Sequence, residues 1–219
     1  MIKIIKIQEP EILVRHKARW TEQVVRATNN KAARRYVTSI FTRHSEIKEA
    51  IVAEAFKKCV YCEIKMRGAH RGEIDHIVPL SVNRELAFEW TNLVLACTFC
   101  NGNKGSTVSP LLINPTVDDP PDHLAFDGHY IRPRFGSLKG EFTRNELDLN
   151  RTDLIEKRQE RLDSIIQTCL KISKETEQDL RNSGLKCLRR EVERHQEYCL
   201  MTTQFMDRLW TELTRQSVP

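Results

Sequence analysis

The chain has 219 residues, of which 40% are hydrophobic and 30% are charged, and its net charge is +5. A chain of this length and composition can bury the core of one or two domains, and none of its apolar runs reaches the length that a membrane-spanning helix needs. Its seven cysteines are an odd number, and residues 1–6 lack the apolar core of a signal peptide. We therefore expect a protein of the reducing cytoplasm without a membrane partner.

Residues 1–58 form a predicted basic helical region ahead of the first cysteine pair. The helical spacing of apolar residues predicts three helices, over residues 11–27, over 31–41 and from Ser45 onward. Between residues 15 and 58 there are eleven Lys and Arg residues against four acidic ones. Such a surplus of positive charge is typical of a surface that binds nucleic-acid backbone, although a solvated helix face explains any single residue equally well.

Two C-x-x-C pairs, Cys59/Cys62 and Cys97/Cys100, define a predicted module over residues 59–105. Each pair can direct two thiolates at one ion, which predicts a structural four-cysteine zinc site with no open position for catalysis. Disulfides or buried apolar cysteines are the alternatives, and disulfides suit secreted chains. The residues between the pairs predict two short strands, over residues 74–78 and over residues 92–96.

Polar residues beside these cysteines have the chemistry of a metal-dependent hydrolase. Asp75 and the side-chain carbonyl of Asn101 are oxygen ligands of the kind that a hard cation such as Mg²⁺ prefers. His76 can take a proton from water near neutral pH. Because successive strand side chains alternate between faces, Asp75 and His76 need an irregularity at the strand end, before Pro79, to serve one site. Taken singly, each residue is more often a cap or a surface group.

The remainder of the chain predicts a connector and a helical end. Residues 106–150 contain five of the eight prolines, and Asp127-Gly128 predicts a β-hairpin turn. From Asn150, interpreted as a helix N-cap, residues 151–219 predict a C-terminal helical region with a break at Gly184. We expect its apolar stripes to pack in the core, and a docking surface for a partner protein is the alternative.

These motifs together resemble the HNH endonucleases, the His-Asn-His group with a ββα-metal fold, in their zinc-knuckle version. The motifs are C-x-x-C, D-H-I-x-P-L, N-L, C-x-x-C-N and K-G, present here as Cys59/Cys62, residues 75–80, Asn92-Leu93, residues 97–101 and Lys104-Gly105. The resemblance implies an α+β, mostly helical fold. Its small ββα-metal HNH module, with the four-cysteine zinc site, would be flanked by N-terminal and C-terminal helices.

The same resemblance implies a role for each polar residue. His76 would be the general base, and Asp75 and Asn101 would hold a catalytic Mg²⁺ or Mn²⁺ ion. Asn92 would fix the loop that carries the base through backbone hydrogen bonds. The residues expected to contact nucleic acid are Lys104, near phosphate, and Arg71. Because Asn101 stands where many relatives have histidine, the choice of metal stays open.

Looser features outside the module resemble the HNH subunits of Septu-type and retron-associated antiphage systems. They are the F-D-G-H-Y turn at residues 126–130 and the L-x-L-N-R sequence at residues 147–151. This resemblance implies a nuclease that acts with an ATPase subunit and, in a retron system, with a reverse transcriptase and its msDNA. Standalone restriction-type or homing-type HNH enzymes are the competing assignment.

The resulting hypothesis is a metal-dependent endonuclease that cleaves DNA, with RNA such as tRNA as the alternative substrate. Two other classes of protein fit parts of the sequence: a zinc-stabilised nucleic-acid-binding module without catalysis, and a structural subunit whose terminal helices assemble a complex. The binding module accounts for the cysteines and the basic helices. It gives no reason for Asp75, His76 and Asn101 to occur together.

Overall fold

A computed structural model describes residues 1–66 and 72–216, with side chains described as far as Leu209. The helices are α1 (Glu11–Val25), α2 (Asn30–Arg43), α3 (Ser45–Glu54), α4 (Thr98–Lys104), α5 (Pro120–His123), α6 (Leu138–Glu146), α7 (Thr152–Lys174), α8 (Gln178–Arg190) and α9 (Cys199–Gln216). The strands are β1 (Glu73–His76), β2 (Leu93–Ala96), β3 (Leu124–Asp127) and β4 (Tyr130–Pro133). The predicted fold class, α+β and mostly helical, is confirmed.

Helices α1 to α3 form the predicted N-terminal helical region. Each buries one apolar face, because its apolar residues recur every three or four positions. The buried residues of the first two helices are Leu13, Trp20 and Val24 in α1 and Ala33, Val37 and Ile40 in α2. The side chain of Asn29 accepts a hydrogen bond from the amide of Ala32 and caps α2, which is a favoured role of asparagine. The basic residues of α2 consequently lie on its outer side.

Strands β1 and β2 pair in antiparallel fashion and, with α4, form a ββα unit at the centre of the chain. Asp75 lies opposite Val94 and His76 opposite Leu93. All four residues of β2 are buried, and the strand leads directly into Cys97 and α4. This unit is the predicted small module between N-terminal and C-terminal helices.

The predicted hairpin at Asp127-Gly128 is formed by β3 and β4. Gly128 has a φ of 58°, a conformation that glycine adopts without steric cost. The interpretation of Asn150 as an N-cap is wrong. Its side chain instead exchanges two hydrogen bonds with the backbone of Ile131, at 3.0 and 2.9 Å, and the cap position of α7 is Arg151.

The predicted helix break at Gly184 is also wrong. The chain turns between α7 and α8, at residues 175–177, and Gly184 lies inside α8. A Cβ atom at this position would come within 2.6 Å of Cγ1 of Ile172, so glycine permits the close approach of α7 and α8. Helix α9 completes this region through a small apolar cluster of Ile165, Leu188 and Met206.

One hydrophobic core connects the parts of the chain. It contains side chains from α1, α2, α3, β2, the β3–β4 hairpin and α7. The ββα unit contacts α3 through β2, and Arg151, just before α7, reaches the cysteines that flank it. Among the described helices, none combines the length and the apolarity that crossing a bilayer requires.

Candidate active site

The four knuckle cysteines converge as predicted. Their sulfur atoms all lie within 4.8 Å of one another, and the sulfurs of Cys62 and Cys97 are 3.8 Å apart. Tetrahedral coordination with Zn–S bonds of about 2.3 Å places sulfurs about 3.8 Å from each other. The donor set and its spacing therefore fit a structural zinc ion, and four thiolates leave no position for a substrate.

Local backbone contacts hold these cysteines in place. Cys97 occupies the N-cap of α4, and its sulfur accepts a hydrogen bond from the amide of Cys100 at 3.4 Å. The amide of Val60, inside the first pair, donates to the carbonyl of Leu95 at 2.9 Å. The first knuckle is thereby tied to β2, and the second knuckle begins where β2 ends.

Arg151 supports the cysteine cluster from the other side. Its guanidinium nitrogens lie 3.8 Å from the sulfur of Cys100 and 3.9 Å from that of Cys62. Burial opposes the charge, but the neighbouring Cys100 and Cys62 thiolates raise the pKa of Arg151. In the sequence, Arg151 is only the last residue of the L-x-L-N-R motif. Its contact with the cysteines could not be predicted, because it is far from them along the chain.

The imidazole of His76 is held by a hydrogen bond. Its Nε2 lies 2.9 Å from the carbonyl oxygen of Ala87. Because a carbonyl only accepts hydrogen bonds, Nε2 carries the proton and Nδ1 keeps a free lone pair. Burial lowers the pKa of His76, against the opposing effects of the Ala87 hydrogen bond and the Asp75 charge. The imidazole is therefore neutral at pH 7 and can accept a proton.

Asn92 makes the backbone hydrogen bonds expected of it. Its side chain is buried, with Oδ1 accepting from the amide of Val78 at 2.7 Å and Nδ2 donating to the carbonyls of Val78 and Leu86 at 3.1 and 3.0 Å. Val78 follows His76 by two residues, so these bonds fix the loop behind the imidazole. All the polar atoms of a buried amide are used in this way.

Asp75 lies on the opposite face of β1 from His76 and is 4% exposed. One carboxylate oxygen accepts a hydrogen bond from the hydroxyl of Tyr61 at 2.6 Å, and the other pairs with the ammonium of Lys104 at 2.9 Å. Burial and the Asp75 charge raise the pKa of Tyr61 well above its usual range, so the phenol remains a donor. Asp75 is thus held in one position by two partners.

The expected placement of Lys104 beside phosphate is wrong for this structure. Its side chain is only 1% exposed, and its ammonium donates to Asp75 and to the backbone carbonyl of His76, at 2.8 Å. A buried ammonium with these partners stabilises the ββα unit and is not available to a substrate. The second residue expected to contact nucleic acid, Arg71, lies outside the described residues.

Glu73 is a polar residue of the site that the sequence reasoning missed. It precedes Asp75 by two residues and therefore shares its face of β1. The side-chain amide of Asn101 donates to its carboxylate at 2.6 Å, while the amide oxygen of Asn101 remains as an acceptor. Glu73 could have been found from the alternation of side chains along a strand, because its spacing of two residues from Asp75 directs both carboxylates toward α4.

An open cleft of about 490 Å³ brings these groups together. Helix α2, strand β1 and helix α4 supply its walls. Its polar lining includes Glu73, Asp75, His76, Asn101, Arg34 and Thr38. The predicted residues Asp75, His76 and Asn101 therefore share one cleft, and it has room for a hydrated ion and a phosphate group.

The comparison with protein families identifies this module. Residues 59–107 match the family model described as HNH endonuclease. By this match, residues 59–107 are similar to the HNH endonucleases, and we refer to them as the HNH domain. The predicted resemblance to the HNH endonucleases is thereby confirmed.

Two relatives extend the similarity beyond the HNH domain. Septu protein PtuB of Bacillus thuringiensis is 30% identical over 156 residues, which cover 70% of this chain and 56% of that protein. Septu protein PtuB of Bacillus mycoides (strain KBAB4) is 31% identical over 134 residues, covering 46% of this chain and 45% of that protein. The chain thus spans about half the length of these relatives. The resemblance to an HNH subunit of Septu systems is confirmed by this similarity.

Proposed function

We propose that this chain is the nuclease subunit of an antiphage defence complex and that it hydrolyses phosphodiester bonds in nucleic acid. The observation that carries the proposal is the position of His76. Its Nε2 is bound to the carbonyl oxygen of Ala87, which leaves Nδ1 as the nitrogen that can accept a proton, and His76 lines one cleft with Glu73 and Asn101. The similarity to Septu protein PtuB supports the defence role.

In this proposal, the residues of the HNH domain each contribute one step. Nδ1 of His76 takes a proton from water as the water oxygen forms a bond to phosphorus. The bond from phosphorus to the leaving oxygen then breaks, and this oxygen takes a proton from solvent. Asn92 keeps the imidazole in position through Val78, because a general base must stay within hydrogen-bond reach of the water.

A divalent cation is the second component of the proposed site. The side-chain oxygen of Asn101 and the carboxylates of Asp75 and Glu73 are hard donors of the kind that Mg²⁺ or Mn²⁺ prefers. Each Asp75 oxygen accepts one hydrogen bond and keeps a further lone pair, whereas Glu73 is exposed and adds a second carboxylate. When bound, such an ion neutralises negative charge that develops on the phosphate and the leaving oxygen.

The partners and the location follow from the relatives and the cysteines. We propose an ATPase subunit as the protein partner and DNA as the first substrate, with RNA as the alternative. The similarity to Septu protein PtuB favours a Septu complex over an assembly with a retron reverse transcriptase and msDNA. All seven cysteines are unpaired, which supports a location in the reducing cytoplasm.

A cleavage assay tests the proposal. The purified chain, alone and with a candidate ATPase subunit, is incubated with duplex DNA, single-stranded DNA and total RNA in Mg²⁺ or Mn²⁺. We expect cleavage of at least one substrate that EDTA stops and added metal restores. Binding without cleavage in both metals, with and without the ATPase, would instead support the non-catalytic binding module.

A further inference from the structure

Helix α2 presents an unusual surface beside the cleft. Its fourteen residues include four Lys and Arg residues and no Asp or Glu. Lys31, Arg34 and Arg35 are exposed, while Ala33 and Val37 on the opposite face pack in the core. In the described part of the chain, none of the three basic side chains forms an ion pair with an acidic one. Their charge is therefore available to a ligand.

This charge lies along grooves that continue the catalytic cleft. A second groove, of about 570 Å³, is lined by Asn30, Lys31, Arg34, Arg35, Thr38 and Ser39. Arg34 and Thr38 line both this groove and the cleft of His76. The second groove therefore adjoins the cleft at Arg34 and Thr38.

The opposite end of the cleft is open in the same way. Phe41, one turn beyond Thr38 on α2, lines both the cleft and a third groove of about 350 Å³. The third groove also contains Lys48 and Lys57. We take the cleft and its two neighbouring grooves as one path along α2. Besides the basic residues of the second and third grooves, this path contains the acidic Glu49 in the third groove. A ligand that fits such a path is a linear polyanion.

The dimensions of α2 fit a nucleic-acid strand. Ten residues separate Lys31 from Phe41, which corresponds to about 15 Å of helix. One strand of a duplex advances about 3.4 Å along the axis for each phosphate, so the path faces roughly four phosphates. Backbone contacts of this kind position a strand without reading its bases.

We propose that the outer face of α2 binds the substrate backbone and guides it to His76. This inference rests on the proposed nuclease function. Lys31 and Arg35 hold phosphates ahead of the cleft. Arg34 binds a phosphate at the entrance of the cleft, next to the phosphate at which the strand is cleaved. Arginine suits this position because its planar group can donate two parallel hydrogen bonds to one phosphate.

The test measures binding separately from cleavage. In a His76→Ala background, Lys31→Gln, Arg34→Gln and Arg35→Gln are combined, and binding to a fluorescent duplex and a fluorescent single strand is followed by anisotropy over a range of salt concentrations. We expect the affinity to fall about tenfold or more and the salt dependence to weaken by about two to three counterions, because each phosphate contact releases about one.

A matched triple variant is the control. Lys171→Gln, Lys174→Gln and Arg189→Gln remove the same charge from exposed positions of α7 and α8 that line none of the three grooves. This control should bind like the His76→Ala parent. Equal loss of affinity in both triple variants would mean that only the net charge of the protein matters. Unchanged affinity in the α2 triple variant would assign this face to another ligand, such as an acidic protein. Either result overturns the inference.

The outcomes also separate this inference from the proposed function. If the wild-type chain cleaves nucleic acid while the α2 triple binds as tightly as its parent, only the α2 surface is wrongly assigned. If the wild-type chain neither binds nor cleaves nucleic acid, with or without the ATPase, the proposed function fails, and the inference about α2 fails with it.

Discussion

Lys104 and Asp75 form a buried ion pair that joins α4 to β1, with their charged atoms 2.9 Å apart and their side chains 1% and 4% exposed. The hydroxyl of Tyr61, from the first cysteine knuckle, donates to the same carboxylate. Three parts of the HNH domain therefore meet at one acidic group. This contact places Asp75 beside the cleft but restricts its movement.

We predict that Lys104→Met lowers the free energy of unfolding by more than it reduces the binding free energy for nucleic acid. Removing one partner of a buried ion pair leaves an uncompensated charge, which costs about 3–5 kcal/mol. Denaturant unfolding measures the loss, and Lys171→Met, at an exposed position of α7, is the control. Unchanged stability together with weaker binding in Lys104→Met would mean that Lys104 contacts phosphate after all.

Zinc should depend on the four knuckle cysteines alone. Cys97→Ser is expected to lose zinc and most of its cooperative unfolding transition, because the binding energy of a structural metal is folding energy. Cys187→Ser, which removes an exposed cysteine outside the cluster, should keep one zinc ion per chain. Metal analysis after dialysis gives the answer, and a Cys97→Ser protein with full zinc content would contradict the site.

Arg151→Met is predicted to weaken zinc binding without removing a ligand. The guanidinium lies beside the sulfurs of Cys100 and Cys62, and loss of such a supporting group typically lowers metal affinity about 10- to 100-fold. Competition with a chromogenic chelator measures the affinity. Arg132→Met, at an exposed residue of β4, is the control, and equal zinc affinity in the two variants would assign Arg151 a packing role only.

We further predict that Glu73→Gln raises the Mn²⁺ concentration needed for half-maximal cleavage by about tenfold or more, as loss of a metal-supporting group does elsewhere. Glutamine can still accept the hydrogen bond from Asn101, so the change isolates the charge. Glu85→Gln, at an exposed position, should cleave like the wild type. If Asp75→Asn shifts the Mn²⁺ dependence in folded protein and Glu73→Gln does not, Asp75 is the carboxylate that holds the ion.

Local patterns in the sequence account for much of this structure. The helical spacing of Leu13, Trp20 and Val24 and the turn at Gly128 depend on neighbours along the chain, so α1 and the β3–β4 hairpin could be predicted. The C-x-x-C pairs could be interpreted as one site because zinc chemistry restricts what four closely spaced cysteines do.

Contacts between distant segments could not be predicted in this way. The resemblance implied that Lys104 lies near phosphate, whereas its burial depends on Asp75 and on the carbonyl of His76, almost thirty residues earlier. Glycine often marks the end of a helix, but Gly184 lies inside α8, where Ile172 packs against it. In both places a tertiary partner overrides the local preference of the residue.

The most direct test of the account is the comparison of wild-type protein with His76→Ala in one cleavage assay, under the metal and partner conditions in which the wild type is active. We predict that the variant loses cleavage by a factor of at least about 10², while its zinc content, unfolding transition and affinity for nucleic acid stay at the wild-type level. Cleavage by His76→Ala at the wild-type rate would contradict the assignment of His76 as the base and with it the proposed mechanism.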